Sequence, residues 1–128
     1  MSQQTLAVMQ ETFTIHSLDV DTPIPPAVYQ SKVFFIARTY DELSVVCPSH
    51  VKLDSNEQEE DWAALEVLGP LGFSMTGILS NISGVLASAK ISIFAISTFD
   101  TDYILVKKSL INDAATHLSK AGYKVVDS

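Results

Sequence analysis

Residues Gly69–Val106 read G-P-L-G-F-S-M-T-G-I-L-S-N-I-S-G-V-L-A-S-A-K-I-S-I-F-A-I-S-T-F-D-T-D-Y-I-L-V, and three kinds of local pattern follow one another along them. The first is a glycine-rich loop, Gly72, Phe73, Ser74, Met75, Thr76 and Gly77, placed after an apolar strand pattern over Ala63–Leu68. The second is a helix: Ile78, Leu79, Ile82, Val85, Leu86 and Ala89 recur at a period of 3.6 and form one apolar stripe. Ser74 or Thr76 is the expected N-cap, and neither has a Glu or Gln three positions on to complete a capping box. First-turn amides therefore lack partners from the helix and can face a ligand. The third pattern is strand, turn, strand, with the turn at Phe99–Asp102.

Reading outward toward the C-terminus, Ser109 is placed to cap a second helix with Leu110, Ile111, Ala114, Ala115, Leu118 and Ala121 on one face. Gly122 closes it and Tyr123–Val126 reads as a strand. From Trp62 onward the order is βαββαβ, an α+β, ferredoxin-like arrangement of two helices on a four-stranded antiparallel sheet. In that topology the loop Gly72–Gly77 and the turn Phe99–Asp102 reach the same sheet edge. Ser74, Thr76, Ser97, Thr98, Asp100 and Asp102 are then expected to crowd one site.

Reading toward the N-terminus, Thr5–Leu18 alternates as a strand with Glu11 as its expected break, and the prolines of Asp21–Pro26 leave room only for a helical turn over Ala27–Gln30. Lys32–Thr39 and Leu43–Cys47 are β-rich runs joined at hairpin length, and Pro48 ends the second. This hairpin recurs. At an offset of 59, Phe35, Thr39, Tyr40 and Asp41 fall under Phe94, Thr98, Phe99 and Asp100. The acidic run Asp54–Asp61 reads as a solvated linker. Two side-by-side units follow, residues 1–58, with an incomplete helical complement, and residues 59–128.

With 128 residues, 47% hydrophobic and 18% charged, the chain is long enough for a packed core. No apolar run approaches the ~20 residues of a membrane span. Met1–Gln10 lacks the basic and apolar segments of a secretory leader, and Cys47 is the single cysteine, so the expected location is cytoplasmic. A net charge of −7 repels phosphate backbones and argues against nucleic acid as a partner. His16, His50 and His117 have no metal-ligand spacing, and Asp100-Thr101-Asp102 lacks the further oxygens that a hard cation takes. There is no G-x-S-x-G and no Walker loop. The expectation is a non-enzyme without metal or cofactor, with Cys47 as a buried core thiol. Trp62 either covers the site or begins a strand.

G-F-S-M-T-G-I-L at Gly72–Leu79, I-S-I-F-A-I-S-T-F-D-T-D-Y-I-L-V at Ile91–Val106 and S-V-V-C-P at Ser44–Pro48 resemble the ACT-domain family, in particular short tandem-ACT proteins related to aspartokinase regulatory regions and to cytosolic arginine sensors of animals. The resemblance implies a sensor that holds a free amino acid at an interface between ACT units. Its contacts would come from Gly72, Phe73, Ser74, Met75, Thr76, Gly77 and Ile78 of the loop and from Ser97, Thr98, Phe99, Asp100 and Asp102 of the facing hairpin. The T-x-x-x-D spacing that the arginine sensors use stands here as Thr98 and Asp102. Gly72–Ile78 contains no carboxylate to pair with a guanidinium, so the loop does not support arginine as the ligand. A homodimer is expected, since Ile91–Thr98 is apolar on both alternations at a sheet edge. The alternatives are a small ferredoxin-like enzyme, with Asp102 beside Thr98 as its pair, and a structural assembly module.

Overall fold

The computed structural model describes residues 4–68 and 77–128. The described elements are β1 (Thr5–Leu18), α1 (Pro26–Tyr29), β2 (Phe35–Arg38), β3 (Leu43–Pro48), β4 (Glu57–Leu68), α2 (Ile78–Ser88), β5 (Phe94–Ser97), β6 (Asp102–Lys107), α3 (Ile111–Lys120) and β7 (Lys124–Asp127). From β4 onward the order is the βαββαβ read from the sequence, and the fold is α+β and ferredoxin-like.

The chain forms two compact units, a contiguous one of Glu11–Trp62 and a discontinuous one of Met1–Gln10 with Ala63–Ser128. Their boundaries differ from the contiguous halves 1–58 and 59–128 for a reason of strand pairing. The start of β1 pairs in parallel with β7, Thr5 with Lys124 and Val8 with Asp127, so the first residues complete the unit that contains the last ones. β7 thus lies on β1, and the expected four-stranded antiparallel sheet gains a parallel pair. β1 runs through the unit boundary without interruption, and the boundary falls beside Glu11, where a break was expected.

In the discontinuous unit β4 has β1 and β6 as hydrogen-bonded neighbours, and β5 ends the order beyond β6. Its core joins Leu6, Leu65, Val67, Ile104 and Val106 of the strands to Ile82 and Leu86 of α2 and Ala114 and Leu118 of α3. The α2 stripe was legible because these apolar positions repeat at the helical period: Ile78, Leu79, Val85 and Ala89 pack against the same cluster. Fully burying one such side chain contributes about 1.5–3 kcal/mol.

Both expected N-caps are replaced. At α2 the cap is Gly77, held at φ 80, a left-handed conformation that an L-side chain rarely takes. At α3 the cap is Leu110, because Lys108–Leu110 forms a 3-10 turn that carries Ser109 inside it.

In the contiguous unit the order is β2-β3-β1, antiparallel throughout, with Phe13 opposite Pro48, Leu18 opposite Leu43 and Phe35 opposite Val46. Leu18, Val28, Leu43, Val45, Cys47 and Val51 form its core, and Ile24, Phe34 and Leu53 pack on it. Cys47 is a fully buried thiol whose pKa burial pushes up. The acidic segment corrects an expectation. Glu57–Asp61 belongs to β4 and is exposed at all five positions, so backbone hydrogen bonding, not side-chain alternation, makes it a strand. Asp61 adopts φ 63, and Trp62 after it is buried inside the same strand.

Candidate functional site

The expected site residues belong to the discontinuous unit. Gly72, Phe73, Ser74, Met75 and Thr76 lie outside the described residues. Gly77 is exposed at the start of α2, and Ile78 opens the helix half-buried against the core. The Asn81 N-H donates to the carbonyl of Gly77, one turn back, at 2.8 Å. Among the described residues no side-chain hydrogen bond caps this end of the helix, and no acidic residue occupies its first turn. The amides of Ile78, Leu79 and Ser80 thus stand at the positive end of an eleven-residue dipole.

The hairpin arrives next to the strand that leads into the loop. Thr98 and Thr101 close the β5–β6 turn: the Thr98 N-H donates to the Thr101 carbonyl at 2.8 Å, and the Thr101 N-H donates to Thr98 Oγ1 at 3.2 Å. The Thr101 hydroxyl then donates to the carbonyl of Val67, the residue before the last of β4. Turn and strand end are thereby tied together at the position where the chain leaves β4 for α2. Thr101 was not among the expected site residues. A threonine at the last turn position was visible in the sequence, but its partner depends on the register between distant strands.

Strand pleating separates the two aspartates. Asp102 shares a strand face with Ile104 and Val106, and both of these pack with α2 in the core. Ser97 stands directly opposite Asp102 across the hairpin, on the same face. Asp102 is half-buried, whereas Asp100 is exposed in the turn beside Phe99, itself 81% exposed. On the opposite sheet face the Tyr103 hydroxyl donates to Glu66 Oε2 at 3.3 Å. Burial first, then the charge and hydrogen bond of Glu66, push that phenol up. The structure therefore brings Ser97 and Asp102 together on the helix face and leaves Thr98, Phe99 and Asp100 in the turn.

Along α2, an open cleft of about 530 Å³ runs from Gly77 past Ser80, Asn81, Gly84, Val85 and Ser88. It carries no charged group. Among the described residues no group of three or more His, Cys, Asp or Glu side chains is placed to hold a metal ion. His16 is buried in β1, and His50 and His117 are exposed. No described helix is long and apolar enough to cross a membrane.

Comparison with known proteins places this geometry in context. A family model described as an ACT domain matches residues 57–120, and a second model, of an N-terminal domain, matches residues 11–52. The chain is 39% identical over 74 residues to the human cytosolic arginine sensor for mTORC1 subunit 1, a match that covers 57% of this chain and 22% of that protein. The mouse counterpart is 42% identical over 65 residues, 50% of this chain and 19% of its own length. The chain thus spans about a fifth of the curated relatives it matches. A crystal structure of an Agrobacterium tumefaciens protein superposes with a TM-score of 0.91 at 29% identity, over 100% of this chain and 96% of that one. The regulatory subunit of aspartate kinase from Thermus flavus shares the fold, with a TM-score of 0.67 at 12% identity over 94% and 99% of the two chains. Together the family match and these structures agree on an ACT-domain fold.

Proposed function

The chain belongs to the ACT domain family, and we propose that it is a non-catalytic sensor of a free α-amino acid, held between the start of α2 and the β5–β6 hairpin. The observation that carries this reading is the Thr101 tether to Val67, which supports a hairpin fixed beside the strand that leads to the first-turn amides of α2. The ligand's α-carboxylate lies toward those amides and its ammonium toward Asp102, on the helix face of the sheet. Hydrogen bonds to charged groups contribute about 1.5–3 kcal/mol each, enough for two of them to define a small ligand. The arginine-sensor relatives make an amino acid the first ligand class to test.

A thermal-shift screen against the twenty amino acids, followed by calorimetry on any that raise the melting temperature, tests the proposal. Stabilisation by one or a few of them is the expected result, and none above the buffer control sinks it.

The partner in this reading is a second copy in the cytoplasm. Ile78–Ser88 contains no charged residue in a chain of net charge −7, and β5 ends the strand order. A Cβ added at Gly84 would meet nothing within 4 Å among the described residues, so packing against them does not account for a glycine in mid-helix. Gly84→Leu is expected to convert a dimer to a monomer in light scattering without loss of helix content. An unchanged mass removes this face from the interface.

A further inference from the structure

His16 stands in β1 of the contiguous unit at 2% exposure, on the strand face that also carries Leu18 and opposite Val45 of β3. A row of polar contacts on this strand fastens the connection between β3 and β4. The hydroxyls of Thr12 and Thr14 donate to Ser49 Oγ at 3.3 and 3.1 Å, and the Ser49 N-H donates to the Thr12 carbonyl at 2.9 Å. Farther along, His16 Nδ1 lies 2.9 Å from Ser55 Oγ, and Asn56 bonds through its N-H to the Ser17 carbonyl and through Nδ2 to Asp19 Oδ1.

The direction of these bonds identifies the tautomer. Gln58 Nε2 donates to the Glu60 carboxylate at 3.0 Å, so the Gln58 carbonyl oxygen faces Ser55 and takes its hydroxyl proton at 3.4 Å. With that proton spent, Ser55 Oγ accepts from His16 Nδ1-H. The lone pair of Nε2 is left buried, with no hydrogen-bond partner among the described residues.

We propose that His16 is an acid-operated latch: a proton taken up at Nε2 releases the Ser49–Asn56 connection from β1 and opens the core of the contiguous unit. The groups that face it set the direction. β3 offers the neutral thiol of Cys47, α1 has no charged residue, the connection carries Lys52, which opposes protonation, and β4 carries Glu60, which favours it. Burial outweighs both and holds the imidazole below its ordinary value of 6.5. The open form therefore binds the proton more tightly than the closed form. The closed form is fully favoured above the ordinary value and loses ground as the pH falls below it, with the opening equilibrium rising by up to about tenfold per pH unit for one proton.

Amide exchange at Ser49 and Asn56, compared between about pH 7.5 and about pH 5 and corrected for intrinsic rates, reads the latch directly. The wild type is expected to lose about tenfold or more of its protection at these amides while β6 keeps its own. In His16→Gln the loss disappears, and in Glu60→Gln it deepens at the low-pH end, since the closed form then holds the proton still less tightly. Protection that is flat with pH in the wild type, or lost equally in His16→Gln, overturns the proposal. Should His16→Gln fail to fold, the imidazole titration followed by NMR in the wild type decides: a closed-state pKa at or above the ordinary value overturns it, and one below upholds it.

Discussion

The two hairpin turns, Thr39–Glu42 in the contiguous unit and Thr98–Thr101 in the discontinuous one, are built alike and serve different ends. In each, the leading threonine N-H donates to the carbonyl of the fourth residue, at 2.9 Å to Glu42 and 2.8 Å to Thr101. In each, the threonine Oγ1 takes the N-H of that same residue, at 3.1 and 3.2 Å. Each lifts an aromatic ring into solvent, Tyr40 at 100% exposure and Phe99 at 81%. The difference begins at the fourth residue. Thr101 reaches the Val67 carbonyl, whereas Glu42 is exposed, and the next residue is half-buried Asp102 in one unit and core Leu43 in the other. Flanking chemistry diverges too: Ser97 stands where the first turn has Arg38, which is engaged with Asp21 at 3.2 Å. Turn geometry is thus common property, and what distinguishes the proposed ligand site is the chemistry of the residues that flank its turn.

Charge separates the units in the same sense. The contiguous unit has ten acidic and three basic residues, and the discontinuous unit has five of each. The whole net charge of the chain therefore belongs to the contiguous unit, and the unit with the proposed ligand site is neutral in sum.

The harshest way to break the comparison is to hollow out one unit at a time. Leu86→Ala and Leu43→Ala should each cost about 2–5 kcal/mol, and hydrogen exchange should show protection failing first in the cluster that lost the leucine. Equal loss in both clusters under either variant means that the division into two units has no energetic content.

Asp102→Asn should weaken amino-acid binding by about tenfold or more. Asp100→Asn and Asp41→Asn, in exposed turn positions, should change it much less, and calorimetry on the three variants separates them. Equal losses at Asp100 and Asp102 remove the distinction drawn from strand pleating.

Thr101→Val, which keeps the shape and deletes the hydroxyl, should lower stability by about 0.5–1.5 kcal/mol in urea titration. Glu42→Ala, its counterpart, should stay within about 0.5 kcal/mol of wild type. Matching effects at the two positions count against the tether to Val67. The smallest change is expected of Tyr40→Ser, within about 0.5 kcal/mol, since the ring buries nothing.

How much of this was legible in the sequence depended on whether a pattern was local. The stripe Ile78–Ala89 announced α2 because every partner it needs lies on one face of one helix. The hairpin repeat was legible for the same reason, since Thr39 and Thr98 close their turns with neighbours three residues away. Glu57–Asp61 was not, because five exposed positions carry no alternation, and only pairing with a distant strand makes them extended. Ser109 had the chemistry of a cap, but the 3-10 turn moved the helix start past it. At the candidate site, Ser97 and Asp102 could be named from the sequence. Their common face and the Thr101 tether could not, for both depend on register across the sheet.

The pairing of β7 with the first residues of β1 has a consequence for how the chain is born. A ribosome releases Glu11–Trp62 as one uninterrupted piece, which can assemble while the remainder is still being made. The other unit has to keep one edge of the apolar strand from Thr5 waiting until Lys124–Asp127 emerges, well after the contiguous unit has been made. The unit proposed to sense a ligand is therefore completed later than the acidic unit, which has all of its residues by Trp62.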